Sequence, residues 1–474
     1  MDKIDKNLYS RQIFTYGLDT MSKIVNLNIL VFGLRGLGIE VCKNLILAGP
    51  KEVCISDKNL CKINDLGSNF YIDENDVNKK TREDSCYDKL KSLNPYVKVT
   101  KLKGIYSKEI KQFNIIIITE IMKLEELYEL NDICRKNNIN FIYTLNLGLT
   151  GFLFNDFGKN HTVCDFNGEK KLSYNIFHIE DKEDKYEIMP VIKEDERFEL
   201  RQGNYIIFKN IKGLEFLNTL KPRKIIKVNN SSFEIEKENK NIGKYLSDGT
   251  IEEVKIPKIF KFGAFKDNFM KPNKNFINID ASKKKSNILL HCAFVGLHIY
   301  YSIYNILPEL NDLNNVKKII ELAKNYYLIL REKYINYLQL KGNKLVEFDE
   351  NYILNVLRWS KAEISPICTF LGGIASQEAL KITGKYTPIY QWLRFDFFET
   401  IENLHKINRN LLNCRYDDQI AIFGQEIQEK LNNLNIFIVG EGALGCEYIK
   451  NFALIGISCK KGIITIKDND NVFL

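Results

Sequence analysis

Near the end of the sequence, Gly440-Glu441-Gly442-Ala443-Leu444-Gly445 has the spacing with which a backbone can receive a phosphate. Glycines at the first, third and sixth places let such a turn bend tightly and approach an anion closely. The turn then runs into a helix whose N-terminal amides and dipole favour negative charge. Asp468 and Asp470 follow at the end of the next apolar run, where a ribose hydroxyl would find its carboxylate acceptor. The chemistry open to these residues is nucleotide binding. An earlier turn, Gly33-Leu34-Arg35-Gly36-Leu37-Gly38, is related but departs from the pattern. Here Leu34 is read as replacing the central glycine, so that its Cβ crowds a phosphate and the turn serves helix–strand packing. Arg11 and Arg415 each precede one of these turns by roughly a helix. They are read as occupying equivalent places from which each reaches over a nucleotide cleft.

The elements that position these residues occur twice. Gln12 and Gln419, Gly17 and Gly424, Gly33 and Gly440, Gly38 and Gly445, Lys43 and Lys450, Asn44 and Asn451 share one constant offset. One supersecondary unit has therefore been used twice. In the first copy, residues 27–33 form an apolar strand, a helix runs through Leu47, and a second strand ends on Asp57. Residues 76–92 are expected to be helical, and VKVTKL to be a strand. Phe113 to Thr119 is a fully buried strand of parallel type, followed by a helix over 121–137 and a strand over 139–144. The alternation predicts a doubly wound parallel sheet. The second copy spans 434–468 and is expected to be a shortened, truncated version of the same unit.

Between the copies the pattern changes. Residues 166–258 read as short strands with Asn/Gly turns, a small all-β module. Residues 276–340 return to helical periodicity and suggest a bundle. Ser365 to Glu399 offers a Gly-containing helix and an aromatic strand that rejoin the first sheet. Ile288 to Leu307 carries no formal charge and is long enough to span a membrane. Its two histidines, glycine and scattered tyrosines favour a buried helix of the bundle instead.

Length and composition bound the function. At 474 residues the chain is expected to hold about three to four domains. The net charge of +8 comes from dispersed lysines, with no basic, aromatic-interleaved element of the kind that binds nucleic acid. Eleven cysteines show no CxxC pair, and five histidines form no HExxH, so no metal site is expected. Without a secretory leader, the thiols point to the reduced cytoplasm and nucleus.

The combination of LYSRQ (8–12), GLRGLGIEVCKN (33–44), INDLGSNFYIDENDV (63–77), DFNGE (165–169), the stretch from SPICTFLGG to YQWLRFD (365–396) and RYDDQIAIFG with VGEGALGCEYIKNFALIG resembles the N-terminal part of ubiquitin-activating enzymes. The resemblance implies a Rossmann-like, ThiF-type α/β fold. It implies an inactive adenylation domain over 1–165, returning at 341–404, and a β half-domain over 166–258. A four-helix bundle would occupy 259–340, and the active adenylation domain would open at 405–474. It also implies ATP with Mg²⁺, ubiquitin as substrate and ubiquitin-conjugating enzymes as partners. Gly440, Gly442, Ala443 and Gly445 would line the nucleotide, Asp468 would hold its ribose, and Arg11 would contact phosphates across a pseudo-dimer interface. In the first half, Asp65, Ser68 and Thr81 stand where the family's active half has asparagine, arginine and lysine, so that half is expected to be a scaffold. The family's Mg²⁺ aspartate and thioester cysteine are not found in this sequence. Cys446 and Cys459 are read as packing residues.

The reading is thus an N-terminal portion of an ATP-dependent, modifier-activating ligase that does not turn over alone. The alternative is a non-catalytic scaffold, or half of a split enzyme, that binds ubiquitin or its partner half. A dehydrogenase with two dinucleotide turns would need a catalytic histidine near a cleft, and none is evident.

Overall fold

The computed structural model describes residues 4–102, 108–193, 197–237, 243–271, 277–278, 282–283, 285–339, 345–401 and 407–469. Asp470 and His405 lie outside them. The chain divides into two compact units. One comprises 1–161, 261–383 and 388–474; the other comprises 162–260 with 384–387.

The first unit is built on a sheet of eight strands. Its parallel run is Lys98–Lys101, Glu52–Ser56, Asn28–Phe32, Ile115–Ile118 and Asn140–Leu147, in that spatial order. Thr150–Asp156 and Trp392–Asp396 extend it in antiparallel register. The aromatic strand at 392–396 therefore does rejoin the first sheet, as the sequence suggests. Every side chain of Ile115–Ile118 is buried, which explains its unbroken apolar run: a parallel strand covered on both faces has no solvent side to alternate with. Neighbours of Asn28–Phe32 on its two sides, Glu52–Ser56 and Ile115–Ile118, are reached by chain running in opposite directions. Its C-terminal end is thus the switch point at which open α/β sheets receive ligands.

The apolar helix is Ser286–Tyr304, with 78% of its most apolar window buried inside the unit. It packs with Leu313–Lys333 and Glu350–Arg358 over the sheet, where Phe294 stacks on Phe152 at 4.6 Å. His298 lies wholly buried there, its Nδ1 bonded to the Phe294 carbonyl at 2.9 Å and its Nε2 2.5 Å from the Tyr143 hydroxyl. The carbonyl can only accept, so Nδ1 carries the proton and Nε2 accepts from the tyrosine. Burial holds this imidazole neutral, with its pKa lowered to about 4.

The second unit is a closed antiparallel barrel ordered Tyr205–Lys209, Arg223–Val228, Phe233–Glu236, Lys185–Pro190, Ser173–Asp181 and Thr250–Val254. Alternate residues such as Ile206, Phe208, Ile225, Phe233 and Ile235 fill it. Closure removes the sheet edges that a small all-β module would otherwise expose. Within this unit the DFNGE segment is a clip. Asp165 accepts the Gly168 amide at 3.0 Å, and Lys255 bridges Asp165 and Asn167 at 2.7 and 2.8 Å.

Candidate nucleotide site

The two repeats fold alike from their first residues. Helix Ser10–Tyr16 ends at Gly17, with φ 82° and ψ 157°; helix Asp417–Phe423 ends at Gly424, with φ 86° and ψ 164°. Only glycine takes this backbone without strain, which accounts for its recurrence at the shared offset. Gln12 donates to the Leu47 carbonyl and Gln419 to the Ile455 carbonyl, each pinning its helix to the end of the glycine-turn helix. Strands Asn28–Phe32 and Ile436–Val439 pair in parallel with Glu52–Ser56 and Ile464–Lys467.

Both turns also make the same bond to the acid at the end of the second strand. Leu34 N–H donates to Asp57 at 2.9 Å, and Glu441 N–H donates to the carboxylate of Asp468. Asp57 and Asp468 are therefore structural counterparts.

Around that shared frame the two sites differ. Helix Gly36–Ala48 has Arg35 as its N-cap, with φ −69° and ψ −170°. Helix Ala443–Ile455 has Gly442 as its N-cap, with φ −63° and ψ −167°. Matching dihedrals correct the reading of the first turn: Arg35, not Leu34, stands at the central-glycine place, while Leu34 matches Glu441. A Cβ added at Gly33 would lie 2.5 Å from the Glu120 side chain, and one at Gly36 would lie 2.5 Å from Ser68. The first turn is packed by its own protein. At Gly440 and Gly442 an added Cβ would meet nothing within 4 Å. Gly440, Glu441, Gly442, Ala443 and Leu444 are exposed, as is Asp468, while Gly445 is buried against the Gly440 carbonyl.

Nor is the first site short of cations. Arg82 reaches Asp57 at 3.3 Å, Asp65 at 2.8 Å and Glu120 at 3.2 Å; Arg35 lies 3.5–3.7 Å from Asp65, Glu363 and Asp418. Five carboxylates thus surround two guanidiniums. Burial pushes the Glu120 carboxyl up to about 8, with Asp57 adding to the rise and Arg82 opposing it. Glu363 accepts the Leu37 amide at 3.2 Å, on the helix N-terminus where an anion would otherwise sit. Thr81 caps helix Arg82–Ser92 by accepting the Asp84 amide at 3.2 Å. Sequence reasoning missed Arg35, Arg82 and Glu363 as site residues. Only the constant offset, which pairs Arg35 with Gly442, signals the first of them.

The repeats meet through a reciprocal contact. Lys43 bonds Glu447 and Lys450 bonds Glu40, while Lys43–Glu40 and Lys450–Glu447 close within each helix at 3.0 and 2.8 Å. Glu40 and Glu447 share the offset of Lys43 and Lys450. When residue i meets residue j and j meets i, the relation is a local twofold. Under the same offset Arg11 corresponds to Asp418, and Arg415 to Leu8. The two arginines are therefore not equivalent. Arg415 donates to the Leu66 carbonyl of the first repeat and does not overhang a cleft. Asp418 is buried and reaches the Arg35 turn. Arg11 is exposed on helix Ser10–Tyr16, and no ion pair or side-chain hydrogen bond of its guanidinium occurs among the described residues. Among the described residues no cluster of three His, Cys, Asp or Glu could hold a metal ion.

The ThiF family model matches residues 9–415 and again 416–474. The chain is 36% identical over 476 residues to "Ubiquitin-activating enzyme E1 1" of Triticum aestivum, covering 99% of this chain and 44% of that protein. It is 36% identical over 477 residues to "Ubiquitin-like modifier-activating enzyme 1" of Dictyostelium discoideum, covering 99% and 45% respectively. With the mouse protein of that same description it is 32% identical over 476 residues, covering 99% and 43%. The chain thus spans a little under half the length of the curated relatives it matches.

Proposed function

The chain belongs to the ThiF family, and on that premise we propose that it supplies the first adenylation half, and the opening of the second, in ATP-dependent activation of ubiquitin or a related modifier. In that reaction the modifier's C-terminal carboxylate attacks the α-phosphorus and pyrophosphate leaves; a cysteine thiolate then attacks the acyl carbon, AMP leaves, and the thioester is passed to a conjugating enzyme. The single observation carrying the proposal is the second turn itself: it has the same backbone and the same amide-to-aspartate bond as the first, with Gly442 at the helix N-cap where the first has Arg35.

In this reading Gly440, Gly442, Ala443 and Gly445 form the phosphate-facing backbone, and Asp468 accepts from the ribose. Arg11 is the cation that meets phosphate from the opposite repeat. Support for Arg11 comes from the local twofold. Its counterpart Asp418 approaches Arg35, the counterpart of Gly442, so the mate of that contact aims Arg11 at the Gly442 turn. The phosphates of ATP suit the glycine turn and the helix N-terminus that follows it. The described residues do not fit a Mg²⁺ site, and no step is assigned to one. We assign the protein to the reducing cytoplasm and nucleus, where cysteines stay as thiols.

Binding of radiolabelled ATP to the chain tests the site. The expected result is binding that Asp468→Ala and Arg11→Ala each weaken by about tenfold, or about 1.4 kcal/mol, and that Asp57→Ala leaves unchanged. No binding by the wild-type chain, or binding lost in Asp57→Ala but kept in Asp468→Ala, would overturn it. A second reading is favoured by the exposure of Phe437, Val439, Ile463 and Ile466 on the two-stranded sheet. It is that of a non-catalytic scaffold, or half of a split enzyme, docking a partner half. Ubiquitin-dependent ATP–pyrophosphate exchange that appears only when the downstream half is co-expressed supports the split form. Exchange by this chain alone refutes both it and the expectation that the chain does not turn over unaided.

A further inference from the structure

The packed first turn has acquired a different ligand, its own chain. Arg35 lies against carboxylates from three separate segments: Asp65 on the turn Ile63–Gly67, Glu363 ahead of helix Ser365–Leu380, and Asp418 on the first helix of the second repeat. Its guanidinium also donates to the Lys361 carbonyl at 3.1 Å. Asp418 is itself tied to two of those segments, accepting from the Glu363 amide at 2.8 Å and from Asn64 at 3.2 Å. Trp359, beside the same segment, donates its indole N–H to the Ala421 carbonyl at 2.8 Å. We propose that Arg35 is a positioning residue: it turns the glycine-turn helix of the first repeat into a clasp that holds helix Asp417–Phe423, and with it the second repeat, in place. The inference concerns the first turn only and does not depend on nucleotide binding at the second.

The physical case rests on charge. Asp65, Glu363 and Asp418 are all buried, and an uncompensated buried carboxylate is costly. A glycine at position 35, as in the second turn, would leave these three acids with Arg82 alone, and Arg82 already serves Asp57 and Glu120. The acids cannot separate without moving the segments that carry them. Arg35 therefore sets the distance between the first sheet's turn and the second repeat. The groups facing Asp418 are Arg35, Asn64 and Glu363, with Asp65 behind Arg35 and the Cys368 thiol 3.8 Å from the Glu363 carboxylate. Burial already lifts the Asp418 carboxyl to about 6 against the pull of Arg35. Without Arg35 it rises further, so acid relieves the strain of the variant by supplying protons.

Hydrogen exchange of the whole chain tests the clasp, read as protection factors. In Arg35→Gly, amides over 417–432 lose protection by at least about tenfold near pH 8, while barrel amides over 205–209 and 223–228 stay unchanged. The loss shrinks at about pH 5.5 as the acids protonate, and adding Asp418→Asn recovers part of it at the higher pH. A cavity left by a merely structural side chain would show neither response. Arg35→Lys, which keeps the charge, gives a smaller loss with the same pH trend and serves if the glycine variant does not fold. Unchanged protection over 417–432, a loss equal at both pH values, or no relief from Asp418→Asn would overturn the proposal.

Discussion

Replacing Lys43 by methionine isolates what the reciprocal contact between the repeats contributes. The side chain keeps its length and its apolar stem, and only the charge is removed. Lys43 is 6% exposed and Glu40 3%, whereas Glu447 is 38% exposed. Loss of the ammonium leaves Glu40 and Glu447 sharing Lys450 alone, one net negative charge at a buried position. Removing one partner of a buried pair costs about 3–5 kcal/mol, because the remaining charge stays desolvated. The partial exposure of Glu447 places this case at the low end, about 3 kcal/mol. The local twofold adds a second demand: Lys450→Met, with Lys450 only 10% exposed, should cost nearly the same. Adding Glu447→Gln to Lys43→Met restores neutrality and should recover at least half of the loss.

Urea unfolding followed by tryptophan fluorescence measures these effects, since Trp359 bonds directly to the second repeat. Far-UV circular dichroism on the same samples checks that one transition is being read. The midpoint should move with the slope constant. A cost below about 1 kcal/mol for Lys43→Met would place the quartet among surface pairs that contribute little. A cost for Lys450→Met less than half that of Lys43→Met would refute the twofold, and with it the argument that aims Arg11 at the Gly442 turn.

Two further outcomes are expected. Acid should destabilise the fold through its buried neutral histidines: burial lowers His161 and His298 to about 4. Both take up protons in the unfolded chain below about 6.5, so stability is full above that pH and falls as the pH drops towards 4. At about pH 5 each contributes a loss of about 2 kcal/mol, which His298→Gln, with its Tyr143 contact, should halve in a comparison of unfolding at about pH 7 and pH 5. Asp57→Ala should lower stability by about 1–3 kcal/mol in denaturant melts, because it leaves the buried Leu34 amide without its acceptor while Arg82 keeps Asp65 and Glu120.

Much of this architecture was legible because it is written in local patterns. The doubled offset marks the repeat, the apolar run at 113–119 marks a strand covered on both faces, and a strand-end aspartate marks the acceptor in each copy. Reading Leu34 as the central position overlooks the constant offset, which pairs Arg35 with Gly442, and the N-cap dihedrals agree with the offset. What spacing does not carry is contact between distant segments. Glu363 and Asp418 lie far from Arg35 in sequence and meet it through the fold. Arg11 and Arg415 invite pairing because each precedes a turn, yet their helices begin at equivalent residues, Ser10 and Asp417, with Arg11 inside its helix and Arg415 ahead of the other. Asp418, an acid in a chain that the eye scans for cations, proves to be the true counterpart of Arg11.

That exchange of sign explains how two copies of one backbone come to behave differently. In the first copy the turn carries a cation, Arg35, and the opposite repeat sends an acid, Asp418. Their charges satisfy each other, and Glu363 covers the helix N-terminus. In the second copy the turn carries glycine, and the position matching Asp418 holds Arg11. On the proposed reading that guanidinium and the helix N-terminus at Gly442 would share one anion. The twofold therefore does more than duplicate a fold. It ties the difference between the two turns to paired positions, those held by Arg35 and Gly442 and by Asp418 and Arg11.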